Sequence, residues 1–254
     1  MHAAGPDFAA VAWDVDGTLV DSEPRHHRAL LSASRSFGVP LDHLPDQAFR
    51  GVHMHDVWKE LGPLYGGLDR DAWLARINAD YVADPEPMQA LPGAVEAIEA
   101  LAQAGIPQIC VSNSNRPIVL ANLSAIGVVE AMAGIVTLDD VIAGKPHPAP
   151  YRDGCALLGL HPGRVVAVED STAGLRSAQA AGLFAAGYAG AAAAPPPGAD
   201  LVLRHLSDIV VLMREGVAAL LKARWSNAAV EPSARGSAPR RRRIQPAPAG
   251  AGTG

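Results

Sequence analysis

Residues 12–23 read AWDVDGTLVDSE. The apolar run from Phe8 to Trp13 has the make-up of a buried strand. It ends in two carboxylates, Asp14 and Asp16, before a turn through Gly17-Thr18. Side chains two apart on a strand point the same way, so the two acids are expected within a few ångströms of each other, close enough to repel. Such a pair persists when something positive neutralises it. A calcium loop is not that partner: the twelfth position from Asp14 is Arg25 rather than a glutamate, and the sixth is Leu19 rather than glycine.

Beyond this stretch, apolar strand-like runs alternate with helix-like ones. GAVEAIEALAQAG (93–105), RPIVLANLSAIG (116–127), PAPYRDGCALLGL (148–160) and TAGLRSAQAAG (172–182) carry helical spacing with glycine or proline punctuation. Between them IPQICVSNS (106–114), AGIVTL (133–138) and RVVAVEDS (164–171) read as strands. LFAAGY and LVLRHL read as two more, before a closing helix from Ser207 to about Arg224. Strict alternation implies a parallel sheet with helices on both faces, and in such folds the ligand crevice lies at the carboxyl ends of the strands.

Residues 21 to 88 break the rhythm with three helical patterns and no convincing strand: RHHRALLSASRSFG, QAFRGVHMHDVWKELG and DRDAWLARINADYV. They read as a small all-helical unit inserted directly after the first strand, with the proline-rich DPEPMQALPG as the return linker. The expected organisation is a discontinuous core over 7–20 and 89–225, an insert over 21–88, and a low-complexity, disordered tail over 226–254. That tail carries a net charge of +4 against −9 for the preceding residues. An acidic body is a poor nucleic-acid binder, and Arg240–Arg243 are expected to be solvated.

Two cysteines, Cys110 and Cys155, without CxxC spacing suit neither a disulfide framework nor a zinc site. No apolar run approaches the roughly 20 residues of a membrane span, and the N-terminus lacks the pattern of a signal peptide. A cytoplasmic protein with neither a nucleic-acid nor a membrane partner is expected, with a monomer as the working expectation.

The strand ends present Asp14 and Asp16 from the first strand, Ser112 and Asn113 from the second, and Glu169 and Asp170 from a later one; Lys145 sits between them in GKPHP. Singly, each has an ordinary reading as a turn cap, a helix cap or a surface lysine. Gathered in one crevice, so many acids need compensation, and hard oxygen ligands of this kind suit Mg2+ with a substrate phosphate. The set then describes phosphoryl transfer. Asp14 attacks phosphorus and forms an aspartyl phosphate, Lys145 and the metal draw off charge, and Ser112 and Asn113 donate to the phosphoryl oxygens. Asp16 protonates the leaving alkoxide and then deprotonates the attacking water.

With DVDGTLVDS, VSNS, the lysine of GKPHP and VEDS in this order, the chain resembles the haloacid dehalogenase-like hydrolase superfamily over residues 7 to about 220. The subgroup it looks like holds phosphoglycolate phosphatase-like, sugar-phosphate phosphatase-like and β-phosphoglucomutase-like proteins. The resemblance implies a Rossmann-like three-layer α/β/α core with a parallel sheet, an inserted all-α cap, and a Mg2+-dependent phosphoric monoester hydrolase. It gives Asp14 as nucleophile, Asp16 as acid/base, and Ser112, Asn113 and Lys145 as the phosphate site. The metal goes to Asp14, Asp16 (through its backbone carbonyl) and Asp170, with Glu169 a ligand or a residue orienting the ligands.

Dehalogenation itself does not fit, because halide leaves without a proton and Asp16 would have no purpose. A β-phosphoglucomutase-like mutase is the alternative enzyme. It needs a second cationic grip on the cap, and His53 and Met54 stand where serine and arginine would fall; Arg50 and Arg76 are the substitutes. The non-enzyme alternative is a phospho-aspartate receiver switch, although receivers are about half this length and carry no cap. Substrate selection is expected from Arg50, His53, Met54 and Trp58. The pair His53/His55 has no third metal ligand placed by spacing, and His26 and His27 are read as surface or hinge contacts.

Overall fold

The structure is a computed structural model that describes residues 8–45, 48–49, 52, 54–188 and 194–228. Six strands form one parallel sheet: β1 (Ala10–Trp13), β4 (Gln108–Val111), β5 (Gly134–Val136), β6 (Val165–Glu169), β7 (Phe184–Tyr188) and β8 (Leu201–Leu203), in the order β5-β4-β1-β6-β7-β8. β1 is central and fully buried, pairing β4 through Val11–Gln108 and β6 through Val11–Val166.

Alternation along the strands divides the core into two apolar layers. Val11, Trp13, Cys110 and Val168 face α4 (Ala94–Gln103), α5 (Arg116–Ala125) and α8 (Asp208–Glu215). Ala12, Ile109, Val111 and Ala167 face α6 (Ala149–Leu158) and α7 (Thr172–Ala181). The result is the Rossmann-like three-layer core that alternation implied. Trp13 satisfies its buried indole N–H on Gln108 Oε1 at 2.9 Å, and Gln108 in turn donates to the carbonyl of Ile98. Cys110 and Cys155 are buried thiols.

Two features differ from expectation. The insert does not begin directly after β1. A two-residue strand β2 (Val20–Asp21) pairs antiparallel with β3 (Gln89–Ala90), so both chain crossings between core and insert run through one ribbon. Such short strands carry no periodicity to read. The closing helix is also broken: α8 ends at Gly216, and α9 (Val217–Ala228) follows. The expectation for the tail falls, from 229 onward, outside the described residues.

The insert carries α1 (Glu23–Ser36), α2 (Met54–Leu61) and α3 (Arg70–Ala83). Asp69 caps α3 by accepting from the N–H groups of Asp71 and Ala72. These helices bury their own cluster, including Leu30, Val57, Trp73, Ile77 and Tyr81, to which α5 of the core adds Ile118. Arg28 bonds Asp84 at 2.7 Å, and buried Arg25 donates to the carbonyl of Glu86, which ties the start of α1 to the return segment. Among the described residues no helix is long and apolar enough to cross a membrane.

Candidate active site

The carboxyl ends of β1, β4 and β6 converge under the insert on a crevice of about 800 Å³. Lys145 is its electrostatic pivot. The ammonium donates to Asp14 Oδ1 at 2.7 Å, to Glu169 Oε1 at 2.6 Å and to the carbonyl of Val111 at 2.7 Å, using all three of its hydrogens. Burial opposes its charge, but Asp14 and Glu169 outweigh that and raise its pKa. The backbone of Lys145 is fixed by Asn113, whose Oδ1 accepts from Lys145 N–H at 2.7 Å while its Nδ2 donates to the Lys145 carbonyl at 3.0 Å.

Glu169 is wholly buried. Its Oε1 also accepts from the Tyr151 hydroxyl at 2.6 Å, and Oε2 accepts from Ser171 at 3.2 Å. Gly174 makes room for it: a Cβ there would lie 1.9 Å from the carboxyl carbon. Gly17 does the same for Asp170. It turns the chain at φ +84°, and a Cβ would meet Asp170 Oδ2 at 2.1 Å.

Asp14, Glu169 and Asp170 each offer an oxygen within 4.8 Å of the others. Burial raises the Asp14 carboxyl well above its usual range, with Glu169 and Asp170 adding to it and Lys145 opposing. Burial, then Glu169, pushes Asp170 up to about 7. Three hard oxygen donors against one ammonium leave an excess of negative charge, which fits a divalent cation such as Mg2+.

Asp16 turns to other partners. Its Oδ2 accepts from Ser114 at 2.8 Å and, more weakly, from Ser112 at 3.4 Å; its Oδ1 accepts from Asn122 at 3.0 Å and lies 3.8 Å from His26 Nε2. Burial raises its pKa, but the neighbouring His26 and hydrogen bonds from Ser22 and Ser114 outweigh burial and bring it down to about 2. The expectation that the side chains of Asp14 and Asp16 point the same way is therefore corrected. The backbone leaves the strand at Trp13, which frees the two side chains from a shared direction, and Asp16 is stabilised by hydrogen bonds instead.

The haloacid dehalogenase-like hydrolase family model matches residues 8–182, well over half of the chain. The chain belongs to the haloacid dehalogenase-like hydrolases. Among its curated relatives, hexitol phosphatase A of Escherichia coli (strain K12) is 34% identical over 78% of this chain and 92% of its own. Phosphoglycolate phosphatase of Yersinia pseudotuberculosis is 32% identical over 79% of this chain and 90% of its own. The crystal structure of CbbY from Rhodobacter sphaeroides in complex with phosphate superposes with a TM-score of 0.70 at 27% identity, covering 84% of this chain and 99% of the other. The chain is thus an enzyme, a hydrolase of the phosphatase kind. Membership of the hydrolase family sets aside the receiver-switch alternative.

Asp14, Asp16, Ser112, Asn113, Lys145 and Asp170 all line the crevice, and Glu169 lies buried behind it. The Asp16 side chain stands outside the acidic trio. Arg50 and His53 lie outside the described residues. Met54 and His55 line the crevice, but Trp58 does not: it stacks on Tyr65 at 5.8 Å and packs against Trp73 inside the insert. Arg76 pairs with Asp80 one helical turn away at 2.8 Å, rather than reaching the crevice, whereas Arg70 does line it. His26 makes the hinge-side contact described above, with Asp16.

Sequence reading missed Ser114, Asn122, Tyr81 and Tyr151. Ser114 stands two residues after Ser112 in SNSN. Asn122 carried a usable signal: it is an amide on the same helical face as Val119 and Leu123, and a polar group there needs a partner.

Proposed function

We propose that this enzyme is a Mg2+-dependent phosphatase that hydrolyses a small phosphorylated metabolite, a polyol or sugar phosphate, through an aspartyl phosphate on Asp14. The observation that carries the reading is Lys145 held on Asp14 and Glu169 beside Asp170, in a crevice that Ser112 and Asp16 also line. Asp14 and Asp170, with the backbone carbonyl of Asp16, would hold the ion, and Glu169 stands behind them fixing Lys145. When bound, Mg2+ supplies charge neutralisation of the phosphoryl group.

Lys145 opposes the effect of burial on Asp14, whose Oδ1 in its ionised form adds to phosphorus as the bond to the leaving oxygen breaks. Ser112 and the backbone N–H groups after β4 receive the phosphoryl oxygens. The Asn113 side chain, engaged with the backbone of Lys145, holds that loop to the phosphate site rather than reaching out by both of its groups. Asp16, ionised as it stands, is set up as the base for the water that cleaves the intermediate. For the first step it has to carry a proton, and a phosphate dianion arriving beside Ser112 and Ser114 raises its proton affinity.

The helices over the crevice act as a cap that admits the substrate and then excludes water. A crevice of about 800 Å³ lies toward the upper end of small-molecule sites, which favours a leaving group larger than that of two-carbon phosphoglycolate. Hydrolysis is preferred to mutase chemistry because Arg76, one of the two substitutes for a second cationic grip, is engaged by Asp80. The reading keeps the enzyme in the cytoplasm.

Asp14→Asn tests the assignment. Turnover of p-nitrophenyl phosphate with Mg2+ should vanish while the circular dichroism spectrum is retained. Appreciable steady turnover by the folded variant refutes Asp14 as nucleophile.

A further inference from the structure

Asn122 joins Asp16 to the insert. Wholly buried on α5, it donates from Nδ2 to Asp16 Oδ1 at 3.0 Å and accepts at its own Oδ1 from the Tyr81 hydroxyl at 2.8 Å. Tyr81, on α3, is also wholly buried. His26 of α1 packs on the Tyr81 ring with centroids 4.5 Å apart, and its Nε2 approaches the same Asp16 oxygen. Asp16 Oδ1 is thus addressed from α5 and the insert, whereas Oδ2 faces Ser114 and Ser112.

The donor and acceptor chemistry orients this relay without ambiguity. An ionised carboxylate only accepts, so Asn122 has to present its NH2 to Asp16 and its carbonyl to Tyr81. The Tyr81 hydroxyl is then obliged to donate. Both bonds are polarised toward Asp16, and each strengthens the other. An amide NH2 cannot accept, so Oδ1 can never hold a proton pointing at Asn122. The serine hydroxyls on the other oxygen rotate, donating to a bare carboxylate or accepting from a protonated one.

We propose that Asn122, fixed by Tyr81, is a positioning residue for Asp16: it reserves Oδ1 as a permanent acceptor and leaves Oδ2 as the atom that gives and takes the proton. The inference rests on the acid/base reading of Asp16. In the first half-reaction the proton on Oδ2 passes to the ester oxygen as its bond to phosphorus breaks and the Asp14–phosphorus bond forms. In the second, Oδ2 takes a proton from the water whose oxygen bonds to phosphorus as the bond to Asp14 breaks.

The test is the leaving-group dependence of kcat/KM, which reports the first half-reaction alone, on p-nitrophenyl, phenyl and benzyl phosphate for the Mg2+-loaded full chain, as wild type, Asn122→Leu, Tyr81→Phe and Asp16→Asn. Nitrophenolate departs without a proton and benzyl alkoxide does not. General acid catalysis is worth roughly 10²–10⁴-fold, so losing its orientation should cost Asn122→Leu about 10-fold or more on benzyl phosphate. The same variant should lose less than about threefold in kcat/KM on p-nitrophenyl phosphate. Tyr81→Phe should show the same pattern, more weakly. Equal losses on all three substrates, or none, overturn the proposal. Where Asn122→Leu does not fold, Tyr81→Phe, which removes a single oxygen, decides it. Asp16→Asn separates the premise: an equal loss on all three substrates there sinks the acid/base reading. A steep dependence in Asp16→Asn, absent from Asn122→Leu and Tyr81→Phe, sinks the Asn122 inference alone.

Discussion

The Nζ of Lys145 lies 2.7 Å from Asp14 Oδ1, with side chains only 3% and 10% exposed, and the same ammonium reaches wholly buried Glu169 at 2.6 Å. One cation therefore holds two carboxylates out of water. Removing one partner of a buried pair leaves an uncompensated charge and costs about 3–5 kcal/mol. Lys145→Met should be destabilised by about that much in urea unfolding at pH 7 and should be inactive. A variant as stable as wild type would mean the carboxylates had found other partners.

Gly174 tests the packing around the second carboxylate. A methyl group at this position would sit 1.9 Å from the carboxyl carbon of Glu169, too close for any rotamer adjustment of a side chain held by Lys145, Tyr151 and Ser171. Gly174→Ala should displace Glu169, lower the melting temperature and reduce turnover at least 10-fold, roughly the effect of an ångström-scale misplacement. Helix propensity alone favours alanine over glycine by about 1 kcal/mol, so a stabilised variant would show that Glu169 moves aside freely.

Asp140 gives a pH dependence away from the acidic trio. It accepts from Thr137 N–H at 2.8 Å, Thr137 Oγ1 at 2.7 Å and Arg116 at 2.7 Å. Burial raises its pKa, but the bonds from Arg116 and Thr137 prevail and hold the carboxyl below its ordinary value. A depressed folded value stabilises the fold above the unfolded pKa of about 3.9, and the contribution is lost as pH falls through the folded value. Asp140→Asn should be less stable than wild type at pH 7 by on the order of 1 kcal/mol, the ion pair being half exposed. The gap should close below about pH 4 in urea titrations; a gap that is constant down to pH 2 would rule out the carboxylate as its source.

Residues whose role is set by type and strand register were readable from sequence, and residues whose role is set by packing direction were not. Alternation placed Asp14, Ser112 and Glu169 at or just past strand ends, because a strand delivers its C-terminal residues to one edge of the sheet. Asp16 was read on the same principle and differs, since the backbone has already left the strand and its carboxylate swings toward α5 and the insert. Tyr151 sits in PAPYRDG, where nothing local marks it. It becomes a partner of Glu169 only because α6 packs against the sheet beside β4. Trp58 had the profile of a substrate contact and instead packs, half-buried, against the core of the insert, where Tyr65 and Trp73, unpairable by sequence spacing, meet it.

Asp170 links the metal to stability. Burial, then the neighbouring Glu169, pushes its carboxyl up to about 7, well above the unfolded value of about 3.9. A raised folded value means the folded state holds the proton more tightly than the unfolded chain. Between about pH 4 and pH 7 stability therefore falls as pH rises, and above that range the full cost is present. Asp170→Asn abolishes this cost, so in EDTA at pH 8 the variant should melt at a higher temperature than wild type, with the advantage disappearing near pH 4. Mg2+ should reverse the order. An ion that binds only the folded state adds about 2.7 kcal/mol at 100 times its Kd, so wild type should gain several degrees on Mg2+ addition while Asp170→Asn, missing a ligand, gains little and is inactive. Thermal melts of both proteins in EDTA and in Mg2+ at pH 4 and pH 8 decide the matter. A variant that is less stable in EDTA at pH 8, or that keeps the full Mg2+ response, would place the cation elsewhere than against Asp170.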